Sequence, residues 1–125
     1  MTENEIGKIV VDSAIRVHKA LGPGLLESAY EACLAYELKK RALDIQTQVG
    51  LPLEYEDVVL GVGYRLDILI ERKVILKLKA VDRLMPIHEA QILSYLKLSK
   101  CKLGFLLNFN VYRMKDGIRR MVNNL

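Results

Sequence analysis

The hydrophobic positions of the chain follow a helical period at first and a strand-like pattern afterwards. Apolar residues recur every three or four positions over residues 4–20 and again over residues 25–41, which predicts two helices. Thr2 and Glu5 have the spacing of a capping box before the first helix. The glycines and proline at 22–24 should separate the two helices sharply.

The rest of the chain predicts a mixed sheet. Strands are expected at 45–55, 58–71, 74–81 and 103–109, with a weaker one near 118–122, and Pro86 should open a third helix that ends near residue 98. Gly50, Gly61 and Gly63 are expected to mark bulges or bends. The succession of strand, helix and strand over 74–109 predicts two parallel strands with a right-handed crossover. The expected fold class is therefore α/β, an antiparallel meander plus a parallel βαβ crossover, flanked by helices.

Composition limits the class of protein. With 125 residues the chain is expected to form a single domain over 1–125, and 51% hydrophobic with 27% charged residues excludes a disordered chain. The apolar runs are too short to span a membrane, and the acidic start lacks the features of a signal peptide. These features predict a cytoplasmic protein with no membrane partner.

The charge permits a polyanionic partner without requiring one. The net charge is +4, and the basic residues form clusters whose ordinary explanation is a solvated surface. Only basic clusters that share one face around a cleft would bind phosphates. The clusters are Lys39-Lys40-Arg41, then Lys97, Lys100 and Lys102, then Arg113, Lys115, Arg119 and Arg120.

Two adjacent apolar strands carry charges that strands of this kind normally avoid. Asp67 and Lys79 lie on the strands 58–71 and 74–81, which are joined by the short turn 71–73. Since side chains two apart share a face of a strand, a hairpin through this turn can bring both charged faces to one side of the sheet. A solvated sheet face is the alternative interpretation. The hairpin predicts a site if other polar residues converge on it.

Two helices supply further polar residues. Glu27 and Tyr30 are three apart on the second helix, and Glu27 in the first turn also has a simple role with the helix dipole. The third helix carries polar residues near its start, of which the first two have an alternative role in capping the helix: His88, Glu89, Gln91 and Tyr95.

Four motifs in the expected order resemble a known family. The run GLLESAY at 24–30 matches the motif that names the GxxExxY protein family, and YRLD at 64–67, LKAV at 78–81 and HEAQ at 88–91 match its other characteristic stretches. The resemblance covers nearly the whole chain. It implies the PD-(D/E)XK nuclease superfamily and a restriction-endonuclease-like core.

The resemblance also implies roles for individual residues. Asp67 is similar to the first metal-binding acid, Glu27 to an extra acid and second metal ligand, Lys79 to the catalytic lysine and Gln91 to the polar residue of the following helix. Tyr30 and Tyr95 are the expected substrate-binding residues. The implied cofactor is Mg²⁺ or Mn²⁺, which lowers the pKa of its bound water and polarises phosphate oxygens. The implied partner is nucleic acid, DNA or RNA, and many enzymes of this superfamily act as homodimers.

The chain departs from the superfamily pattern at one position. The pattern places an acid two residues before the catalytic lysine, and this chain has Lys77 there. Two unit charges about 4 Å apart interact by roughly 4 kcal/mol at an effective dielectric of about 20, so the exchange replaces attraction for a cation by repulsion. Even a few kcal/mol is about a hundredfold in metal affinity. The metal site is expected to be badly weakened.

Three explanations of Lys77 stay open from the sequence. Lys77 could swing away while Glu71 or Glu54 substitutes for the missing acid. It could instead pair with Asp67 and Glu27 and fill the metal's place with its own charge, which is the favoured outcome. It could also be an introduced change that disables the site and spares the fold. The leading hypothesis is a nuclease-like domain with impaired phosphodiester hydrolysis, and the alternative is a non-catalytic nucleic-acid-binding or interaction module.

Overall fold

The computed structural model describes residues 1–61 and 63–125, and the elements follow the predicted order closely. Two helices come first, then three strands, a helix and two further strands. They are α1 (Glu3–Leu21), α2 (Glu27–Lys40), β1 (Ile45–Tyr55), β2 (Val58–Ile70), β3 (Val74–Lys79), α3 (Pro86–Ser99), β4 (Leu103–Asn108), a 3-10 helix (Met114–Gly117) and β5 (Ile118–Val122).

The strands form one mixed sheet in the order β1-β2-β3-β4-β5. Neighbouring strands are antiparallel except β3 and β4, which are parallel and joined through α3. Parallel strands need such a crossover because the end of the first strand and the start of the second lie at opposite ends of the strand pair. The predicted α/β class, with a meander followed by a βαβ unit and flanking helices, is confirmed.

Helices cover both faces of the sheet. On one face, α1 and α2 pack on apolar residues of β2, β3 and β4, and on the other face α3 packs on a second cluster that includes Ile75 and Leu106. Gly7 allows α1 to approach β4 closely, because a Cβ atom there would lie 3.2 Å from the ring of Phe105. Burial on both sides explains why β4 has no polar side chain from Leu103 to Leu107, before the buried Asn108 at its end.

Local chemistry sets the element ends. Thr2 and Glu5 form the predicted capping box, with each side chain bonded to the other residue's backbone N–H. The third strand ends at Lys79, two residues earlier than expected, because the buried Asn108 side chain takes over the pairing. Its amide accepts a hydrogen bond from the Val81 N–H at 3.1 Å and donates one to the Val81 carbonyl at 3.0 Å.

The glycines of the β1–β2 hairpin behave differently from one another. Gly50 pairs with Arg65 in regular register, so of the bulge or bend expected there the bulge is wrong. The register shifts beyond Leu51, and Gly61 and Gly63 lie in the opposing segment of β2 where the shift is taken up. Gly63 has φ +84°, a conformation that residues with a Cβ rarely adopt.

Candidate functional site

The β2–β3 hairpin brings Asp67 beside Lys77. Ile68 pairs with Leu76 and Ile70 with Val74, so the antiparallel register places Asp67 opposite Lys77. A tight turn closes the hairpin, in which the Lys73 N–H donates a hydrogen bond of 2.9 Å to the Ile70 carbonyl. The expected meeting of charged side chains therefore occurs, but the lysine that meets Asp67 is Lys77 and not Lys79.

Both carboxylate oxygens of Asp67 are engaged within the fold. Oδ2 accepts a hydrogen bond from the Leu78 backbone N–H at 2.7 Å, and Oδ1 lies 3.4 Å from the Lys77 Nζ. The Asp67 side chain is only 8% exposed and that of Lys77 18%. A buried charge is tolerated when it is paired and hydrogen-bonded, and this carboxylate is both.

Next to Asp67 the regular alternation of β2 breaks. Strand alternation would put Leu66, Ile68 and Ile70 on one face, but Ile68 and Ile70 pack under α1 and α2 whereas Leu66 packs in the cluster under α3. Between the pairs Thr47–Ile68 and Val49–Leu66, the facing residue of β1 is Gln48, which has φ +51°. A left-handed residue kinks a strand, and this kink re-aims the side chains beside it.

Gln48 connects the kink to α2. Its amide Nε2 donates to Glu31 Oε1 at 2.9 Å and to Glu31 Oε2 at 3.1 Å. Glu31 lies one helical turn after Glu27, on the same side of α2. Sequence reasoning missed Glu31 and Gln48, although the four-residue spacing between the two glutamates was visible in the sequence.

The pKa of Glu31 is raised above its ordinary value. Partial burial is the main cause, the hydrogen bond from Gln48 opposes it, and the negative charges of Asp67 and Glu27 raise it further while Lys77 lowers it. Glu31 therefore lies within the electrostatic field of the candidate site. The charges that influence Glu31 are therefore those of Asp67, Glu27 and Lys77, of which Asp67 and Lys77 form an ion pair.

Glu31 should make stability depend on pH. An acid whose pKa is raised by folding costs stability once it ionises, so the cost is absent below the unfolded pKa, about 4.3, and grows as the pH rises through the folded value. We expect Glu31→Gln to raise the melting temperature at neutral pH and to change it less near pH 4. Thermal melts across this range test the prediction, with Glu56→Gln at the exposed turn between β1 and β2 as the control. An equal effect of Glu31→Gln at both pH values would contradict it.

The structure gives no hydrogen bond or ion pair that joins Glu27, Lys79 or Gln91 to Asp67, among the residues it describes. Glu27 is exposed at the first position of α2, Lys79 is half-buried at the last position of β3, and Gln91 is half-buried on α3. Among the expected site residues that the structure describes, only Asp67 and Lys77 make a polar contact between their own side chains. His88 caps α3, since its Nδ1 accepts from the Met85 N–H at 3.0 Å. The capping interpretation of His88 is thus confirmed.

Tyr30 has a structural role in place of the expected substrate contact. Its ring is fully buried and stacks on Phe109 with centroids 4.6 Å apart. Its hydroxyl donates to the Gly22 carbonyl at 2.6 Å and accepts from the Leu25 N–H at 3.1 Å. Because these bonds hold the loop between α1 and α2, the tyrosine cannot meet a ligand in this conformation.

Tyr30→Phe should therefore destabilise the fold without altering the candidate site directly. Two hydrogen bonds are lost while the stacked ring stays, so we expect a decrease of about 1–2 kcal/mol in the free energy of unfolding. Urea denaturation measures the change. Tyr36→Phe is the matched control, because Tyr36 lies on the same helix and is 69% exposed. Equal stabilities of the two variants would contradict the assigned role of the hydroxyl.

Tyr95 is also largely buried, at 6% exposure within the cluster under α3. Its ring centroid lies 6.0 Å from that of Tyr64, which is 41% exposed on β2. The more accessible aromatic surface here is therefore that of Tyr64. A substrate contact by Tyr95 stays a prediction.

The residues present do not fit a divalent cation at Asp67. Lys77 places an ammonium group where the superfamily pattern has an acid, and the second oxygen of Asp67 is held by a backbone N–H. The described residues hold no group of three or more Asp, Glu, His or Cys side chains arranged to bind a metal. Among the substitutes considered for the missing acid, Glu71 accepts from the Asp44 N–H at 2.7 Å and Glu54 is exposed near the hairpin end.

Comparison with known proteins identifies the family to which the chain belongs. A family model of the PD-(D/E)XK nuclease superfamily matches residues 4–121, and the chain belongs to that superfamily. Neither the curated proteins nor the solved structures contain a significant match to the chain. Within the described residues, no helix is both long and apolar enough to cross a membrane.

Proposed function

We propose that the chain is a single nuclease-like domain over residues 1–125, of the GxxExxY type, whose phosphodiester-hydrolysing site is impaired by Lys77. The superfamily match supports a nuclease-like function and nucleic acid as the partner. The observation that carries the proposal is the ion pair of Lys77 with Asp67, at 3.4 Å between Nζ and Oδ1. The ammonium group supplies the positive charge that a metal would otherwise bring.

The ion pair stabilises the site without providing its chemistry. A divalent ion activates water and accepts phosphate oxygens, whereas an ammonium group has no vacant coordination position and only donates hydrogen bonds. With Lys77 paired, Asp67 and Glu27 keep the positions proposed for metal ligands but lack a third acid. Lys79 and Gln91 keep the positions proposed for catalysis. We therefore expect the fold of a nuclease with little or no turnover.

A non-catalytic nucleic-acid-binding module is the second candidate. It is favoured by exposed basic residues that lack an ion-pair partner among the described residues, such as Arg113 and Lys115. By contrast, the cluster at 39–41 is partly neutralised, since Lys40 and Arg41 both pair with Glu37. A binding module predicts affinity that falls steeply with salt and no cleavage.

A cleavage assay separates these functions. The assay uses single- and double-stranded DNA and RNA with Mg²⁺ or Mn²⁺. It compares the unaltered chain with Asp67→Ala, Lys77→Glu and the double variant Lys77→Glu, Asp67→Ala. Cleavage by Lys77→Glu alone supports the impaired nuclease. Cleavage by the unaltered chain that is lost in Asp67→Ala would show that the site works despite Lys77. Binding without cleavage by any variant would favour the second candidate.

A further inference from the structure

The segment between β4 and β5 is held tightly although it is not a strand. The Phe109 N–H donates to the Lys79 carbonyl at 3.0 Å, and the ring of the buried His18 donates from Nε2 to the Val111 carbonyl at 2.6 Å. Met114 is buried, and Gly117 packs against the backbone of Asn108. The backbone on both sides of residue 112 is therefore fixed by the core.

Tyr112 projects from this anchored segment into solvent. Its side chain is 95% exposed, the highest exposure among the large hydrophobic residues described. The fold therefore gains no burial from the ring. Because the neighbouring backbone is fixed, the ring is presented at low entropic cost to anything that stacks on it.

The surroundings of Tyr112 are positively charged. It lines one surface depression with Lys19, Arg113 and Lys115, all of which are exposed. None of these three cations has an ion-pair partner among the described residues. Asp116 is also exposed and follows Lys115 in the 3-10 helix. Its single negative charge leaves the sum with the three cations positive.

A second depression lies between Tyr112 and the segments that precede α2 and follow β3. Its volume is about 320 Å³, and it is lined by Pro23, Gly24, Asp82, Asn110, Val111 and Tyr112. Gly24 precedes Glu27 by three residues, and Asp82 follows Lys79 by three residues. A ligand that contacts Tyr112 would therefore lie beside the segments that lead into α2 and out of β3.

We propose that Tyr112, with Lys19, Arg113 and Lys115, binds a single-stranded segment of nucleic acid next to the candidate site. A base would stack on the exposed ring while the cations contact the flanking phosphates. A duplex offers no free base face along its length, so single strands are favoured. The inference rests on nucleic acid as the partner of the proposed function, and it adds the strand type and the surface that recognises it.

Fluorescence anisotropy with short labelled single-stranded DNA, single-stranded RNA and a blunt duplex tests this surface. We expect the unaltered chain to prefer a single strand, Tyr112→Ala to bind it about tenfold more weakly and Tyr112→Phe to stay within about twofold. Tyr36→Ala is the matched control, because Tyr36 is also exposed, at 69%, and lies under the Lys40 ammonium. The DNA and RNA arms identify which strand is preferred.

The charge contribution has its own readout. If Arg113 contacts a phosphate, Arg113→Gln should reduce the slope of log affinity against log salt by about 0.7 for a single strand. Equal binding by Tyr112→Ala and the unaltered chain would overturn the inference, and so would the absence of single-strand binding at low salt. The proposed function is tested by a different result. It would be contradicted if Lys77→Glu binds metal but cuts no substrate, whatever the effect of Tyr112→Ala on binding. Duplex binding that ignores Tyr112 would also refute the inference.

Discussion

Lys77→Glu is expected to bind Mn²⁺ at least about a hundredfold more tightly than the unaltered chain. The substitution removes an ammonium group 3.4 Å from the Asp67 carboxylate and places a second carboxylate opposite it. The reversed charge changes the electrostatic energy of a bound cation by several kcal/mol before solvent screening. After screening, a few kcal/mol remain, which corresponds to about a hundredfold in affinity. Isothermal titration calorimetry of both proteins measures it.

The same variant should depend on metal for its stability. Without metal, two facing acids replace an ion pair, so we expect Lys77→Glu to lose about 2–4 kcal/mol of unfolding free energy in EDTA. Saturating Mn²⁺ should recover much of that loss, about 2.7 kcal/mol at a hundred times the dissociation constant. The unaltered chain should melt at the same temperature with and without Mn²⁺.

Lys102→Glu controls for the change in net charge. Lys102 is exposed just before β4, whose start pairs with the start of β3, at the opposite end of the parallel pair from Lys79. It should show neither tight Mn²⁺ binding nor a metal-dependent melt. Equal metal affinity of Lys77→Glu and Lys102→Glu would contradict the idea that Lys77 occupies the metal's place.

Gly117→Ala should be the most damaging single substitution of a glycine. A Cβ atom at this position would lie 2.0 Å from the carbonyl oxygen of Asn108, which no rotamer change can relieve because that atom is backbone. Asn108 cannot retreat freely, since its side chain holds Val81 on one side and the Asn110 N–H on the other. We expect a loss of about 3 kcal/mol or more in the free energy of unfolding.

Gly50→Ala provides the comparison for Gly117→Ala. Gly50 lies in a strand without a positive φ, and no neighbouring atom lies within 4 Å of a Cβ built on it. This variant should change the stability by less than about 1 kcal/mol. Urea denaturation of both variants measures the difference. A loss under about 1 kcal/mol for Gly117→Ala would mean that the approach of these two backbones is not rigid.

The sequence was a good guide to the fold because its local signals agree with its tertiary pairing. The capping box at Thr2 and Glu5, the helix opening at Pro86 and the short final strand all appear where the pattern predicts them. Two boundaries differ by two residues, the start of α2 and the end of β3, and the second depends on Asn108, which is 27 residues from its partner Val81. No local pattern reports such a contact.

The candidate site was predictable only where it depends on strand register. The strand register places Asp67 opposite Lys77. The favoured explanation, in which Lys77 pairs with Asp67, agrees with the observed contact. The pairing of Lys77 with Glu27 is not seen, and Glu31 is the α2 carboxylate bound to the sheet instead. That difference follows from the left-handed conformation of Gln48. A glutamine within a strand pattern does not predict such a conformation.

The position of α1 against β4 has a consequence for the order in which the chain can fold during synthesis. Gly7 lies against Phe105, and the His18 ring bonds the Val111 carbonyl, so partners of the first helix lie nearly a hundred residues further along the chain. At about 5–20 residues per second, the ribosome would need on the order of 5–20 s to make them. For that time the part of α1 that packs on β4 and on the segment at residue 111 lacks its native cover, whereas α2 is available to pack on α1 much earlier.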